Sequence, residues 1–279
     1  MMNIRIVTDS TCDLPEEVTK SLGISVVPLY INVGDKSYLD GVDITRKEFY
    51  TRLPNFEHHP TTATPGIGAF KKAYQDLADE GATDILSIHI TESLSATVDV
   101  ARSVAPGLDD VNVHVIDSEQ LSLGTGFIVQ AAAEAAVAGN SVAEIEAMIA
   151  DQSSRSYVFA AIDTLEFLRR SGRMNSVIAG IGSLIQMKPI LKMNEGVATS
   201  ERVRTSNGAY ERLLELLEEK MPLERVALVH THADDKAQEL LAKFQGQLPP
   251  GDIPSVDITP VIGTHLGPGA IGFACISAK

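Results

Sequence analysis

Small hydroxyl side chains gather in four short stretches of the chain: Asp9-Ser10-Thr11, Thr61-Thr62-Ala63-Thr64-Pro65-Gly66, Thr91-Glu92-Ser93-Leu94-Ser95-Ala96-Thr97 and Asp117-Ser118. Three of them follow apolar runs that read as strands (residues 4–7, 84–90 and 112–116), and the other precedes a helical pattern. Any one stretch reads as a helix cap, because Ser, Thr and Asp are favoured N-cap residues. Several at one sheet edge have a second reading. Hydroxyls and helix N-termini together attract an anion, and open α/β sheets take their ligands at the carboxyl ends of strands. The segment Gly263-Thr264-His265-Leu266-Gly267-Pro268-Gly269 is the sharpest local signal, reading as a loop whose backbone comes close to another group. His265 stands between glycines rather than on an apolar face, which favours contact with a ligand.

The charge pattern singles out residues 169–204. Arg169, Arg170, Arg173, Lys188, Lys192, Arg202 and Arg204 face only Glu195 and Glu201 there, in a chain whose net charge is −14. Such a run forms either a solvated face or a docking surface for an acidic or nucleotide-bearing partner. Inside it, residues 177–185 are nearly all apolar, and Gly180 and Gly182 each weaken a helix by about 1 kcal/mol relative to Ala. The wall of an apolar pocket, built by Ile178, Ile181, Leu184 and Ile185, supplies a packing reason for them. His230-Thr231-His232-Ala233-Asp234-Asp235 resembles the ligand set of a dinuclear metallohydrolase, so a metal-dependent hydrolase using His230, His232 and Asp234 is the alternative reading. The remaining histidines supply no second ligand pair, and a strand end running into an acidic helix start is favoured. No phosphate-binding Gly-x-x-x-x-Gly-Lys-Ser/Thr and no Gly-x-Ser-x-Gly elbow occurs.

These residues need a scaffold, and the apolar periodicity describes one. Strands at 4–7, 25–33, 84–90 and 112–116 alternate with helices at 66–80, 94–104 and 123–138, the rhythm of a parallel sheet covered by helices. Beyond residue 153 the rhythm changes: strands at 157–162, 197–203, 225–229, 256–261 and 269–276 mix with helices at 208–220 and 233–245. We read two α/β domains, 1–152 with a largely parallel sheet and 153–279 with a mixed sheet, and the length of 279 residues accommodates both. Only 5% of residues are aromatic and none is Trp, which disfavours a platform for stacking bases or sugars. The negative charge disfavours nucleic acid as a partner. Two distant cysteines point to a reducing compartment. Nothing resembles a leader or a membrane-spanning stretch, so a cytoplasmic protein without stable membrane insertion is expected.

Read in order, these segments resemble the DegV family over nearly the whole chain. The resemblance rests on Val7-Thr8-Asp9-Ser10-Thr11-Cys12-Asp13-Leu14, Thr62-Ala63-Thr64-Pro65, Leu94-Ser95-Ala96-Thr97, Val115-Ile116-Asp117-Ser118, Leu168-Arg169-Arg170-Ser171-Gly172-Arg173, Lys188-Pro189-Ile190-Leu191 and residues 262–269. It implies a long-chain fatty acid held between two α/β domains, with no other cofactor and no metal. It also implies a non-catalytic role, presenting the acid to a separate ATP-dependent fatty acid kinase subunit that makes acyl phosphate. By position, Thr62, Ser93 or Ser95, and His265 would surround the carboxylate, with Arg170 nearby or facing the kinase. Asp9, Ser10, Asp117, Ser118, Gly267 and Gly269 would support the loops. The chain departs from the family's pattern at Ala63, Thr64, Ala96 and Ser171, so a carboxylate hydroxyl is either missing or supplied by Thr61 or Thr64. In this light the His230 to Asp235 stretch falls on a variable turn. A non-catalytic small-ligand sensor is the remaining alternative.

Overall fold

A computed structural model describes residues 3–108, 110–174, 187–246, 248 and 251–279. The amino-terminal elements run β1 (Ile4–Asp9), α1 (Glu16–Ser21), β2 (Ser25–Val27), β3 (Tyr30–Val33), β4 (Lys36–Leu39), α2 (Arg46–Arg52), β5 (Thr61–Ala63), α3 (Ile67–Asp79), β6 (Asp84–His89), α4 (Thr97–Val104), β7 (Asn112–Asp117), α5 (Leu123–Val137) and α6 (Val142–Ser154). Strands β2-β1-β6-β7 form an all-parallel sheet. Every residue of β6 is buried, as a strand covered on both faces requires. Phe70, Tyr74 and Leu77 of α3 pack with Val7 and Ile85 on one face, while α5 packs with Ile6, Leu86 and Ile88 on the other.

The remaining elements are β8 (Ser156–Ala161), α7 (Glu166–Arg170), β9 (Lys188–Asn194), β10 (Val197–Val203), α8 (Ser206–Glu218), β11 (Leu223–His230), α9 (Asp234–Phe244), β12 (Ser255–Asp257), α10 (Pro260–Leu266) and β13 (Ile271–Ser277). They build a mixed sheet in the order β10-β9-β8-β13-β11-β12, antiparallel except for the β11–β12 pair. Side chains alternate across it: Phe159 and Phe273 meet α8 and α9, while Val158 and Ala274 meet α5. Helix α5 therefore lies between the two sheets, which explains why it is apolar all round rather than amphipathic. Gly126 lets it come that close, since a Cβ there would stand 2.3 Å from the Cys12 carbonyl oxygen. Among the described residues no helix is long and apolar enough to cross a membrane.

Several expected elements differ in the structure. The run 25–33 is not one strand. Pro28 interrupts it, having no N–H for a ladder, so β2 joins the parallel sheet while β3 turns away. There β3 forms the centre of a small antiparallel sheet, β4-β3-β5, over a cluster containing Phe49, Tyr50 and Val261. Thr61–Ala63 is a strand of that sheet rather than a loop. Residues 256–261 divide into β12 and the start of α10, because Pro260 opens a helix readily but cannot continue a ladder. Most of the 263–269 stretch is consequently the end of a helix, with Gly263 inside it because the Tyr50 hydroxyl would lie 2.1 Å from any Cβ.

Candidate functional site

The order β2-β1-β6-β7 reverses between β1 and β6, the point at which a parallel sheet opens a crevice beyond its strand ends. A cavity lies there, between those ends and the α5-facing side of the mixed sheet, with α10 closing one flank. The space between its walls is about 950 Å³, counting the part open to solvent at the mouth. Ile90, Leu94 and Leu121 from the loops after β6 and β7 form one wall. Val158, Leu191, Met193 and Val229 of the mixed sheet form the opposite wall, and Ile262 and Leu266 of α10 complete the lining. Water gains little in such a space, whereas an elongated apolar ligand replaces it favourably.

Polar groups enter this lining at few points. Thr62 on β5 and His265 in the last turn of α10 meet across it, the Thr62 Oγ1 lying 3.1 Å from His265 Nε2. Burial pushes the His265 imidazole down to about 3, and the positive Arg173 and then His59 push it the same way, so it is neutral at ordinary pH. Its buried Nδ1 has no hydrogen-bond partner among the described residues. An unpaired buried ring nitrogen costs free energy that a ligand atom can recover. Ser95 and Arg173 also line the cavity, as do Thr11 and Ser122. Lys192 lines it too, but its ammonium is 3.1 Å from Glu201 and its stem supplies the contact.

The proposed carboxylate residues do not all converge. Thr62, Ser95 and His265 line the cavity; Thr61, Ser93 and Arg170 do not. Thr61 precedes Thr62 on β5, so strand alternation turns it to the exposed side. Ser93 is exposed, its hydroxyl 3.3 Å from that of Thr91. Arg170 lies on α7 with Nε 2.6 Å from Glu166, its side chain 55% exposed. Arg173 takes the place by the cavity because Gly172, at φ 74°, reverses the chain after the helix. Periodicity along α7 carries no sign of that reversal, although a glycine two residues past the last helical arginine is the signal that a turn follows. Residues Ile178, Ile181, Leu184 and Ile185 lie outside the described residues.

The loop-supporting residues each have partners. Asp9 accepts from the backbone N–H groups of Thr11 (3.0 Å) and Ile90 (3.1 Å), both cavity residues. Ser10 Oγ accepts from Leu29 N (3.1 Å), Asp117 from Glu92 N (3.1 Å) and Glu119 N (2.7 Å), and the Ser118 hydroxyl is 2.8 Å from that of Thr125. Gly267 and Gly269 adopt φ 75° and 90°, and Cβ atoms there would strike the Phe167 ring at 2.4 Å and Asp163 Oδ2 at 2.5 Å. The Gly267 carbonyl accepts from Thr231 Oγ1 at 2.7 Å, and Gly269 N donates to Thr231 O at 2.8 Å.

Two arrangements that resemble catalytic sets serve other ends. Asp9, His89 and Ser87 form a string, His89 Nδ1 3.0 Å from Asp9 and His89 Nε2 2.6 Å from Ser87 Oγ. All three are fully buried and Ser87 Oγ is already 2.7 Å from the Tyr74 hydroxyl, so no substrate reaches it. His230, His232 and Asp234 do not assemble a ligand set, and no group of three or more metal-binding side chains occurs among the described residues. His230 Nδ1 accepts from Ala233 N at 3.2 Å, and His232 stacks on Tyr50 with ring centroids 5.7 Å apart.

Comparison with known proteins gives this cavity its context. The sequence model of the family described as "Uncharacterised protein, DegV family" matches residues 3–278. The chain belongs to the DegV family. A DegV domain-containing protein of Listeria innocua is 33% identical over 273 residues, 96% of each chain. The DegV family protein from Thermus thermophilus, solved for its fatty acid binding, superimposes with a TM-score of 0.89 at 32% identity over 99% of this chain and 100% of that one. DegV of Bacillus subtilis, described as a fatty acid binding protein, gives 0.91 at 31% identity over the same shares.

Proposed function

We propose that this chain binds one long-chain fatty acid in the cavity and presents its carboxylate to a separate ATP-dependent kinase subunit. On this reading the chain forms two units, 1–152 and 153–279, that meet around the ligand. The observation that carries the proposal is a cavity lined mostly by apolar side chains, with polar groups at only a few points, among them Thr62, His265 and Arg173. Burying about 14 methylenes contributes on the order of 11 kcal/mol at ~0.8 kcal/mol each. Ordering and immobilising the ligand offset part of that, and a tight complex is left. The carboxylate must not be stranded in such a space. Thr62 and Ser95 offer hydroxyl donors and Arg173 offers the charge, while His265 binds as a neutral imidazole whose N–H faces an acceptor in the suitable tautomer. The Thermus thermophilus and Bacillus subtilis family members are fatty acid binders by description, which supports the same ligand class here.

The chemistry proposed for the complex is phosphoryl transfer. A carboxylate oxygen of the bound acid attacks the γ-phosphorus of ATP on the partner, the bond to the β–γ bridging oxygen breaks, and ADP leaves with the charge. The holder of the acceptor needs only to fix the oxygen's position, because positioning and charge stabilisation beside the nucleotide carry this reaction. No catalytic group is assigned to this chain. Reconstitution tests the reading: the lipid-loaded protein, a bacterial fatty acid kinase subunit and ATP should yield acyl phosphate, trapped as hydroxamate, and the lipid-free protein should not. Lipid-loaded protein that gives no acyl phosphate with any such subunit, while remaining loaded, would leave a fatty acid carrier or sensor without the kinase role.

A further inference from the structure

The contact between Thr62 and His265 joins two elements that share neither strand nor helix, so something else must set its length. Thr62 belongs to the small sheet, where it pairs with Ile31 of β3, and β3 in turn pairs Tyr30 with Leu39 of β4. Asp40 follows Leu39 immediately, is only 4% exposed, and gives its backbone N–H to Leu29 at 2.9 Å. His265 lies six residues along α10 from Thr259, the residue that opens the helix. That span is about 9 Å of rigid helix. The Thr259 hydroxyl donates to the Asp40 carboxylate. This hydrogen bond is a polar link between the sheet that carries Thr62 and the helix that carries His265, beside the apolar packing of Val261 of α10 with Leu29 and Ile31.

A second carboxylate holds Thr259 from the opposite side. Asp13, 1% exposed, accepts from Thr259 N at 2.8 Å, from the hydroxyl of the cavity residue Ser122 at 2.6 Å, and from Arg46 Nη2 at 3.2 Å. Arg46 also donates to the Asp257 carbonyl just before α10. The charged and titratable groups around the pair are Arg46, Asp9, Asp257, Tyr50 and Cys12. We infer that Asp40 and Thr259 are positioning residues for the fatty-acid site, and that Asp13 steadies Thr259 so that the Thr62 to His265 spacing is fixed before the carboxylate arrives. The inference rests on the fatty-acid reading of the cavity. Burial drives Asp13 up to about 6 and raises Asp40 as well. Burying two carboxylates beside one guanidinium is a poor source of stability, but the arrangement fixes geometry.

The test uses Thr259→Val, which keeps the shape and removes the hydroxyl, and Thr259→Ser, which keeps the hydroxyl. Two quantities are read for each full-length protein: the affinity of the delipidated form for palmitate, and the imidazole nitrogen resonances of His265 in the lipid-free form. Thr259→Val should weaken palmitate binding by about tenfold or more, the scale of a hydrogen bond to a charged group, and shift the His265 resonances. Thr259→Ser should leave both near the wild type. A purely structural Thr259 would lower the unfolding midpoint without a separate change in either readout. Unchanged affinity and unchanged His265 resonances in a folded Thr259→Val protein would overturn the inference. If that variant does not fold, Asp40→Ala, which removes the acceptor, carries the same expectation and the same refutation. Wild-type protein that takes up no palmitate, with Thr259→Val still moving the His265 resonances and Thr259→Ser not, would retain the staple and remove the lipid.

Discussion

Among the described residues lining the cavity, Arg173 is the cation without a carboxylate partner: its guanidinium meets the Ser171 carbonyl at 3.3 Å, whereas Lys192 is taken by Glu201. Replacing it by Leu keeps most of the side-chain volume and removes the charge from the mouth of an otherwise apolar space. A hydrogen bond to a charged group contributes about 2 kcal/mol, so Arg173→Leu should weaken binding of a C16 acid roughly 30-fold. The same variant should bind the C16 alcohol as the wild type does, because burial of the methylenes is untouched. Arg173→Lys should recover part of the loss, since an ammonium keeps the charge without the planar fork. Titration calorimetry with delipidated protein, acid against alcohol, measures both. Equal losses for acid and alcohol would show that Arg173 acts by packing, and no loss for the acid would remove it from the site.

Other expectations follow from the same geometry. His265, held neutral down to about pH 3, should show no titration between pH 5 and 8 by NMR, and a midpoint near 6.5 would contradict its buried setting. Because its folded value lies below the ordinary one, its contribution to stability is present above about 6.5 and is lost as pH falls towards 3. Asp13 has the opposite sign: its folded value of about 6 lies above the ordinary carboxylate value, so its contribution is present below about 4 and is lost as pH rises through 6. Asp13→Asn should therefore remove a fall in stability on the order of 2–3 kcal/mol between pH 4 and 6, read by urea unfolding at a series of pH values. Gly263→Ala forces a methyl against the buried Tyr50 hydroxyl, which donates to Ile258 O at 2.9 Å; a loss of about 1–3 kcal/mol by denaturant titration is expected. Ala160→Phe should fill part of the cavity and reduce bound lipid while the protein still unfolds cooperatively.

The parallel sheet was legible because strands such as Asp84–His89 are apolar runs that alternate with helical stretches such as 123–138, the run that forms α5. The small sheet was not. Its strands are three or four residues long, and Thr61–Ala63 looks like a loop because its hydroxyls lie on a strand whose pairing with residues 30–32 is not local. His265 was singled out by its glycine neighbours, yet for a reason that the structure alters. Gly263 is there for the packing of Tyr50 inside a helix, and only Gly267 and Gly269 need the left-handed backbone. Arg173 was visible as one of seven basic residues, but only the turn at Gly172 separates it from Arg169 and Arg170, whose guanidinium groups both lie against Glu166. The Asp13, Asp40 and Thr259 cluster draws on positions 246 and 219 residues apart, a separation at which no local pattern informs.

The most direct measurement is an electron-density map of the protein as purified from a bacterial host, without added ligand. The account predicts a continuous tube of density in the cavity, with a forked end within hydrogen-bonding reach of Thr62, His265 and Arg173, and a C14–C18 acid in a solvent extract of the same crystals. A cavity filled by ordered water, a metal ion or its own side chains would contradict it.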